Sequence, residues 1–211
     1  MVSMLIDKTV IEFAKELSSS SPTPGGGAAS AYTGLLSISL AMMVTNLTLK
    51  NKSYEAVHKK MQRLLEKGED LKDDLQVLID EDAKAFENLM AAYRLPKDEK
   101  AVSSFRSDEI AKALVKAVDV PFEIAYKTFE VYPILKMLLE DGNKNAITDV
   151  GASASLANAA IKGALLNVYI NIKSFKDYNK AEELRTEALE LEKISNALAK
   201  DIEEQVKAEL L

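Results

Sequence analysis

An all-α bundle is the fold class this sequence predicts, and three observations carry it. Apolar residues recur at steps of three and four over very long stretches, most cleanly from 53 to 94. Two other stretches, 26–50 and 150–173, are almost uncharged and rich in Ala, Ser, Thr and Gly. A helix apolar nearly all round is a buried helix, and small side chains let it approach its neighbours closely. No segment alternates apolar and polar residues as a half-exposed strand does. The expected architecture is a helical bundle with two buried small-residue-rich central helices and long amphipathic outer helices.

Taken in order, residues 3–18 form the first predicted helix, with Leu5, Val10, Phe13, Ala14 and Leu17 inward, broken by the serines at 18–21. Before the second helix, 26–50, come Ser21-Pro22-Thr23-Pro24-Gly25-Gly26-Gly27, which hold five of the chain's 8 Gly and 5 Pro. The prolines keep this stretch extended. The glycines permit turns closed to other residues and expose bare N–H groups where the positive end of a helix dipole points. Residues 53–94 read as one long helix with the stripe Tyr54, Val57, Met61, Leu64, Gly68, Leu71, Leu75, Leu78, Asp82, Phe86, Leu89 and Tyr93. Leu95-Pro96-Lys97-Asp98 ends it. The next helix covers about 99–118, with Ala101, Val102, Phe105, Ile110, Ala113, Leu114 and Ala117 inward. Pro121 suits the first turn of another helix, Pro133 a kink or break in it, and Asp141-Gly142-Asn143 a stop. A polar segment, 143–149, then feeds the helix 150–173. The last helix, from about Lys180, carries Leu184, Ala188, Leu191, Ile194, Leu198, Ile202, Val206 and Leu210 as its stripe.

With 211 residues, 47% of them hydrophobic and 28% charged, the chain reads as one domain, 1–211, large enough for a real core. The net charge is -6, with acids and bases interleaved and no basic block alternating with aromatics, which argues against a nucleic-acid surface. Without Cys there is no disulfide and no thiolate catalysis, a composition that suits a reducing cytoplasm. A single His excludes a His-rich metal site within one chain. Residues 17–49 are uncharged and long enough to raise the question of a membrane span. Their strongly apolar part, 35–44, is too short for one, so a buried soluble helix is the better reading. The first seven residues lack the basic flank and apolar run of a signal peptide.

Three places carry chemistry. Asp82 puts a carboxylate where the stripe demands a hydrophobe. An unpaired buried charge is costly, so this acid needs a partner, a raised pKa or a ligand. The glycine run is neither a P-loop, since no Lys-Ser/Thr follows, nor a dinucleotide fingerprint, since no strand precedes it. The segment 143–149 brings Asn143, Asn145 and Asp149; an acid in that last position is more often a helix cap than a catalyst. Asn167 and Asn171, one turn apart on an apolar helix, either bind a heterocycle or satisfy one another. Lys162 partners a buried charge or reaches the surface. His58 reads as a partly exposed helix residue, and Asp80 and Glu81 fall off the stripe into solvent.

In combination these motifs are specific. Ser21-Pro22-Thr23-Pro24-Gly25-Gly26-Gly27-Ala28, Asp82-Ala83-Lys84-Ala85-Phe86, Leu95-Pro96, Val120-Pro121, Gly142-Asn143-Lys144-Asn145-Ala146-Ile147-Thr148-Asp149 and Asn167-Val168-Tyr169-Ile170-Asn171 follow one another over essentially the whole chain. The series resembles the formiminotetrahydrofolate cyclodeaminase family in its stand-alone form, a family that also includes methenyltetrahydrofolate cyclohydrolases. The resemblance implies an all-α fold, a homodimer, a folate site near the dimer interface, and no metal or redox cofactor. The family reaction closes 5-formimidoyltetrahydrofolate to 5,10-methenyltetrahydrofolate with loss of ammonia. Laid over the residue chemistry, it makes Asp82 or Asp149 the proton-transfer group, with Asp82 favoured. Pro24, Gly25, Gly26 and Gly27 would form one wall of the folate pocket, and Asn143, Asn145, Asn167 and Asn171 would bind the substrate. Lys50, Lys52, Lys59 and Lys60, near the corner of the second and third helices, either steer a glutamate tail or are simply solvated. Two other readings remain at this point: a cyclohydrolase on the same fold, and a helical interaction module built on the stripes of 53–94 and 180–211.

Overall fold

The computed structural model describes residues 4–96 and 100–211; Lys97 and Asp98, and the side chains of Ala101 and Val102, lie outside the described residues. Among the described residues every regular element is helical. The helices are α1 (Val10–Leu17), α2 (Gly26–Lys50), α3 (His58–Arg94), α4 (Lys100–Phe129), α5 (Val131–Asp141), α6 (Ile147–Ile172) and α7 (Tyr178–Leu210). Short 3-10 turns at Leu5–Asp7, Lys52–Val57 and Lys144–Ala146 precede α1, α3 and α6. The bundle is layered around α2, which packs along both α3 and α6; α4 bridges α3 and α6, and α7 covers the outer side of α6.

The uncharged composition of α2 and α6 has a direct reading in this packing. The two helices run antiparallel and touch through small residues. Ser37 Oγ donates to Ser153 O and Ser153 Oγ donates to Ser37 O, each at 2.8 Å, so two buried hydroxyls satisfy one another's backbone across the contact. At Gly163 an added Cβ would overlap Ser30 Oγ, and at Gly68 it would come within 2.8 Å of Met42 Cγ, which is why α6 and α3 lie so close to α2. Gly26–Lys50 is long and apolar enough to cross a membrane, yet 61% of its apolar window is buried against the rest of the bundle.

Four local expectations differ from the structure. First, the N-terminal helix is split. Leu5–Asp7 is a 3-10 turn whose Leu5 and Ile6 N–H groups donate to the two Asp80 carboxylate oxygens at 2.6 and 3.3 Å, so Asp80 is a tether and not a solvated acid. Thr9 and Glu12 then form a capping box that starts α1. Val10 consequently points outward, 63% exposed, and only Phe13 of α1 is buried. Second, the long helix begins at His58, because Asn51 Oδ1 accepts from Ser53 N and closes a tighter turn first. His58 is half-buried there, its Nε2 3.3 Å from Asn51 O.

Third, α4 runs straight through Pro121 and ends only at Phe129. Proline cannot donate to the carbonyl four residues back, Ala117 O, and a helix interior ordinarily rejects it for that reason. Here Asn171 Nδ2 on α6 donates to Ala117 O at 2.6 Å, so the orphaned acceptor has a partner from outside the helix. Pro133 falls at the third residue of α5, where a missing N–H costs nothing because no intrahelical acceptor exists. Phe105, expected inward, faces solvent. Fourth, α7 starts at Tyr178, capped by Asp177 Oδ1 accepting from Lys180 N, and its buried face takes Ser195 where Ile194 was expected. Ser195 Oγ lies 2.8 Å from Tyr132 Oη and donates to Asn158 Oδ1 at 3.0 Å, a buried polar chain joining α5, α6 and α7.

Candidate active site

The stripe of α3 explains where Asp82 goes. Leu71, Leu75, Leu78 and Leu89 on the same face are buried, and helical spacing carries Asp82 inward with them. What it meets is the start of α2. Gly25, the residue before the helix, has no side chain to cap the first N–H groups, and the Ala28 N–H donates to the Asp82 carboxylate instead. The acid thus caps a helix that is distant in sequence. Burial pushes its carboxyl up from the ordinary 3.8 to about 6, with the Ala28 N–H pulling the other way. A carboxyl with that affinity ionises and protonates near neutral pH.

The glycines serve contact, not unusual dihedrals. None has a positive φ, and Gly25 is simply extended. A Cβ added at Gly27 would overlap the Asp82 carboxyl group, whereas one at Gly26 would rest 3.5 Å from Asn167 Nδ2. Gly27 therefore makes room for the acid, and Gly26 brings Asn167 alongside. Asn167 Nδ2 donates to Gly163 O at 2.9 Å, which fixes the amide against α6. The approach to α2 is pinned from α3 as well: Thr23 Oγ1 donates to Glu87 Oε1 at 3.1 Å, Ser21 Oγ donates to Thr23 O at 2.7 Å, and Pro24 is buried after a cis Thr23-Pro24 bond. Beside this cluster the α3 stripe opens to solvent, since Phe86, one turn past Asp82, is 37% exposed. Gly25–Gly27, Asp82 and Asn167 form one cluster drawn from three helices around a half-buried acid.

A model of the family described as formiminotransferase-cyclodeaminase matches residues 9–190. The chain belongs to that family. Methenyltetrahydrofolate cyclohydrolase from Methylorubrum extorquens is 38% identical over 204 residues, covering 97% of this chain and 98% of that protein. Formimidoyltransferase-cyclodeaminase of Rattus norvegicus is 30% identical over 173 residues, 82% of this chain but 32% of that protein, so the chain spans about a third of that longer relative. The crystal structure of formiminotetrahydrofolate cyclodeaminase from Thermotoga maritima superposes with a TM-score of 0.80 at 32% identity, over 97% of this chain and 96% of that one.

Not every expected site residue of this cyclodeaminase-family chain joins the cluster. The polar segment 143–149 sits at the other end of α2: Asn143 N donates to Thr48 Oγ1 at 2.9 Å. At 25 residues, α2 separates its two ends by roughly 36 Å. Asn143, Asn145 and Asp149 therefore do not share a pocket with Gly25–Gly27 and Asp82 within one chain. Asn143 Oδ1 accepts from Asn145 N at 3.1 Å and caps the 3-10 turn, Asn145 is exposed, and Asp149 lies half-buried in the first turn of α6. Asn171 is occupied by the Ala117 carbonyl, so neither pairing with Asn167 nor reading a heterocycle describes its contact here. Lys162 is exposed. Two contributors, Glu87 and Gly163, escaped the sequence reading. Glu87 shows no signal on a solvated face, while Gly163 was legible only as a small residue in a helix full of them.

Proposed function

We propose that this chain catalyses the cyclodeaminase reaction, closing 5-formimidoyltetrahydrofolate to 5,10-methenyltetrahydrofolate with release of ammonia. The observation that carries the proposal is Asp82, one half-buried carboxyl pushed up to about 6 and held at the start of α2. In the reaction N10 attacks the carbon of the formimidoyl group, protonated on its imino nitrogen, forming the new C–N bond. The proton on N10 must then reach the amino nitrogen, which departs as ammonia while the cationic methenyl bridge forms. One proton leaves one nitrogen and arrives at another, so a single group that alternates between base and acid suffices. Holding N5 and N10 in register supplies the remaining advantage, a proximity effect. On this reading the Asn167 amide hydrogen-bonds the pterin edge.

A second reading is favoured by the 38% identical cyclohydrolase that matches this chain over nearly its whole length. There a water adds to the methenyl carbon, the C–N5 bond breaks to leave the 10-formyl group, and Asp82 carries one of water's two protons to N5 while the other is released to solvent. The two readings separate in one cuvette. With 5-formimidoyltetrahydrofolate the cyclodeaminase generates ammonia and the methenyl chromophore together; faster loss of that chromophore from added 5,10-methenyltetrahydrofolate marks the hydrolase. No acceleration of either reaction removes both.

We further place a second copy of the chain on the open side of α2 and α6. Both helices are nearly uncharged, yet Leu36 and Leu166 are 41% and 65% exposed. An apolar strip of this kind on two adjacent helices is what a subunit interface looks like before assembly. Light scattering should return about twice the 23.2 kDa of the chain, and a monomer at micromolar concentration overturns the placement.

A further inference from the structure

The Asp82 face of α3 continues past Phe86 and Leu89 to Tyr93, and Tyr93 lines a groove of about 710 Å³. This groove lies between the end of α3, the first half of α4 and the link from α6 to α7. Its floor is apolar, with Ile110, Leu114 and Phe175, and its rim is cationic. Arg106, Lys176 and Lys180 line it against a single acid, Asp177, in a chain whose net charge is -6. Asp177 is already engaged, capping α7 through Lys180 N. All three cations are held in place, Lys180 by its Nζ donating to Glu183 Oε2 at 3.3 Å. Arg106 Nε and Nη2 donate to Leu95 O and Tyr93 O, each at 3.0 Å, and Lys176 Nζ donates to Ser107 Oγ at 2.8 Å.

Position is the second argument. Tyr93 stands three helical turns beyond Asp82, roughly 16 Å along the same face. On α6 and its extension, Lys176 stands nine residues beyond Asn167, in the same direction. Lys50, Lys52, Lys59 and Lys60, the other lysines that could meet an anionic tail, are at the opposite end of α2 and out of reach of the cluster.

We infer that this groove receives the aminobenzoyl-glutamate end of the substrate, an aromatic ring carrying carboxylates, while the pterin end lies at Asp82. The inference rests on the folate reading proposed above. A flat ring suits the Leu114 and Phe175 floor, and paired carboxylates suit ammonium groups on the rim. Arg106 stays in reserve as a test residue, because removing it also uncaps α3.

The experiment compares 5-formimidoyltetrahydrofolate with 5-formimidoyltetrahydropteroate, which lacks the glutamate; the 5,10-methenyl forms of the same pair serve if hydrolysis is the reaction. Lys176→Ala/Lys180→Ala should raise KM for the glutamate-bearing substrate about tenfold, with no comparable rise for the pteroate. A charge-matched control, Lys200→Ala/Lys207→Ala, should shift neither. Unchanged KM for the folate, an equal shift on both substrates, or an equal shift in the control each overturns the inference. Wild-type protein that turns over neither substrate overturns the folate reading itself and takes the inference with it.

Discussion

Asp82→Asn should lower turnover by about 10²–10⁴-fold and, at the same time, leave the protein more stable at neutral pH. The first effect follows from losing the one group placed to carry the proton. The second follows from linkage. The folded carboxyl titrates near 6 and the unfolded one near 3.8, so the folded state binds this proton more tightly. Stability from this group is therefore fully present below 3.8 and is lost as pH rises through 6. At pH 7 the ionised form costs up to about 3 kcal/mol relative to the acid. Asparagine stays neutral, keeps an oxygen for the Ala28 N–H, and escapes that cost. Thermal melts of both proteins should coincide near pH 4 and separate by pH 7.5, with the variant higher. In the wild type, kcat/KM should rise through an apparent pKa near 6 as the base form appears. Turnover within threefold of wild type in a folded Asp82→Asn protein sinks the assignment. A melt no higher than wild type at pH 7.5 would instead show that the carboxylate is better solvated than its burial implies. This is the stability–activity opposition seen where a charge is kept in an apolar place for chemistry.

Gly27→Ala should be the most damaging single methyl addition near the site. The new Cβ would overlap the Asp82 carboxyl group, and Asp82 rides on a 37-residue helix anchored by its neighbours in the stripe. The relief available is rotation of the carboxyl away from Ala28, which leaves that N–H without its acceptor at a cost of about 1–3 kcal/mol. Displacing the acid by about 1 Å is enough to cost on the order of 100-fold in rate. Gly26→Ala is the internal control, because its Cβ would rest at an ordinary 3.5 Å from Asn167 Nδ2. We expect kcat for Gly26→Ala within about fivefold of wild type and for Gly27→Ala at least about tenfold below it, with circular dichroism showing both folded. If Asp82→Asn is already present, adding Gly27→Ala should cost little more, since both changes disable one contact. Full and independent losses in the double variant would place the role of Gly27 elsewhere.

Much of this molecule was legible because its signals are local. The regular stripe of 53–94 determined α3 and singled out Asp82, since spacing along a helix decides which side chains face inward whatever lies opposite. The low charge of 26–50 and 150–173 likewise determined that α2 and α6 pack at the centre, because stretches so nearly free of charge gain little from solvent. The motif series determined the family.

Other features depend on which residues meet across the bundle, and no spacing rule encodes that. Pro121 reads as a helix start because proline removes a hydrogen bond; only the arrival of Asn171 on α6 makes it tolerable in the middle of α4. Asp80 reads as solvated until the N-terminal arm folds back onto it. The glycine run reads as a turn closed to other residues, and the structure gives it ordinary dihedrals and a close contact instead. The two polar segments look like partners in sequence, yet the antiparallel pairing of α2 and α6 puts them at opposite ends of one chain. Sequence by itself determined the helices, the inward-facing acid and the family. Tertiary structure alone decided which loop that acid meets, because only packing of the helices brings residues 27, 82 and 167 to one place.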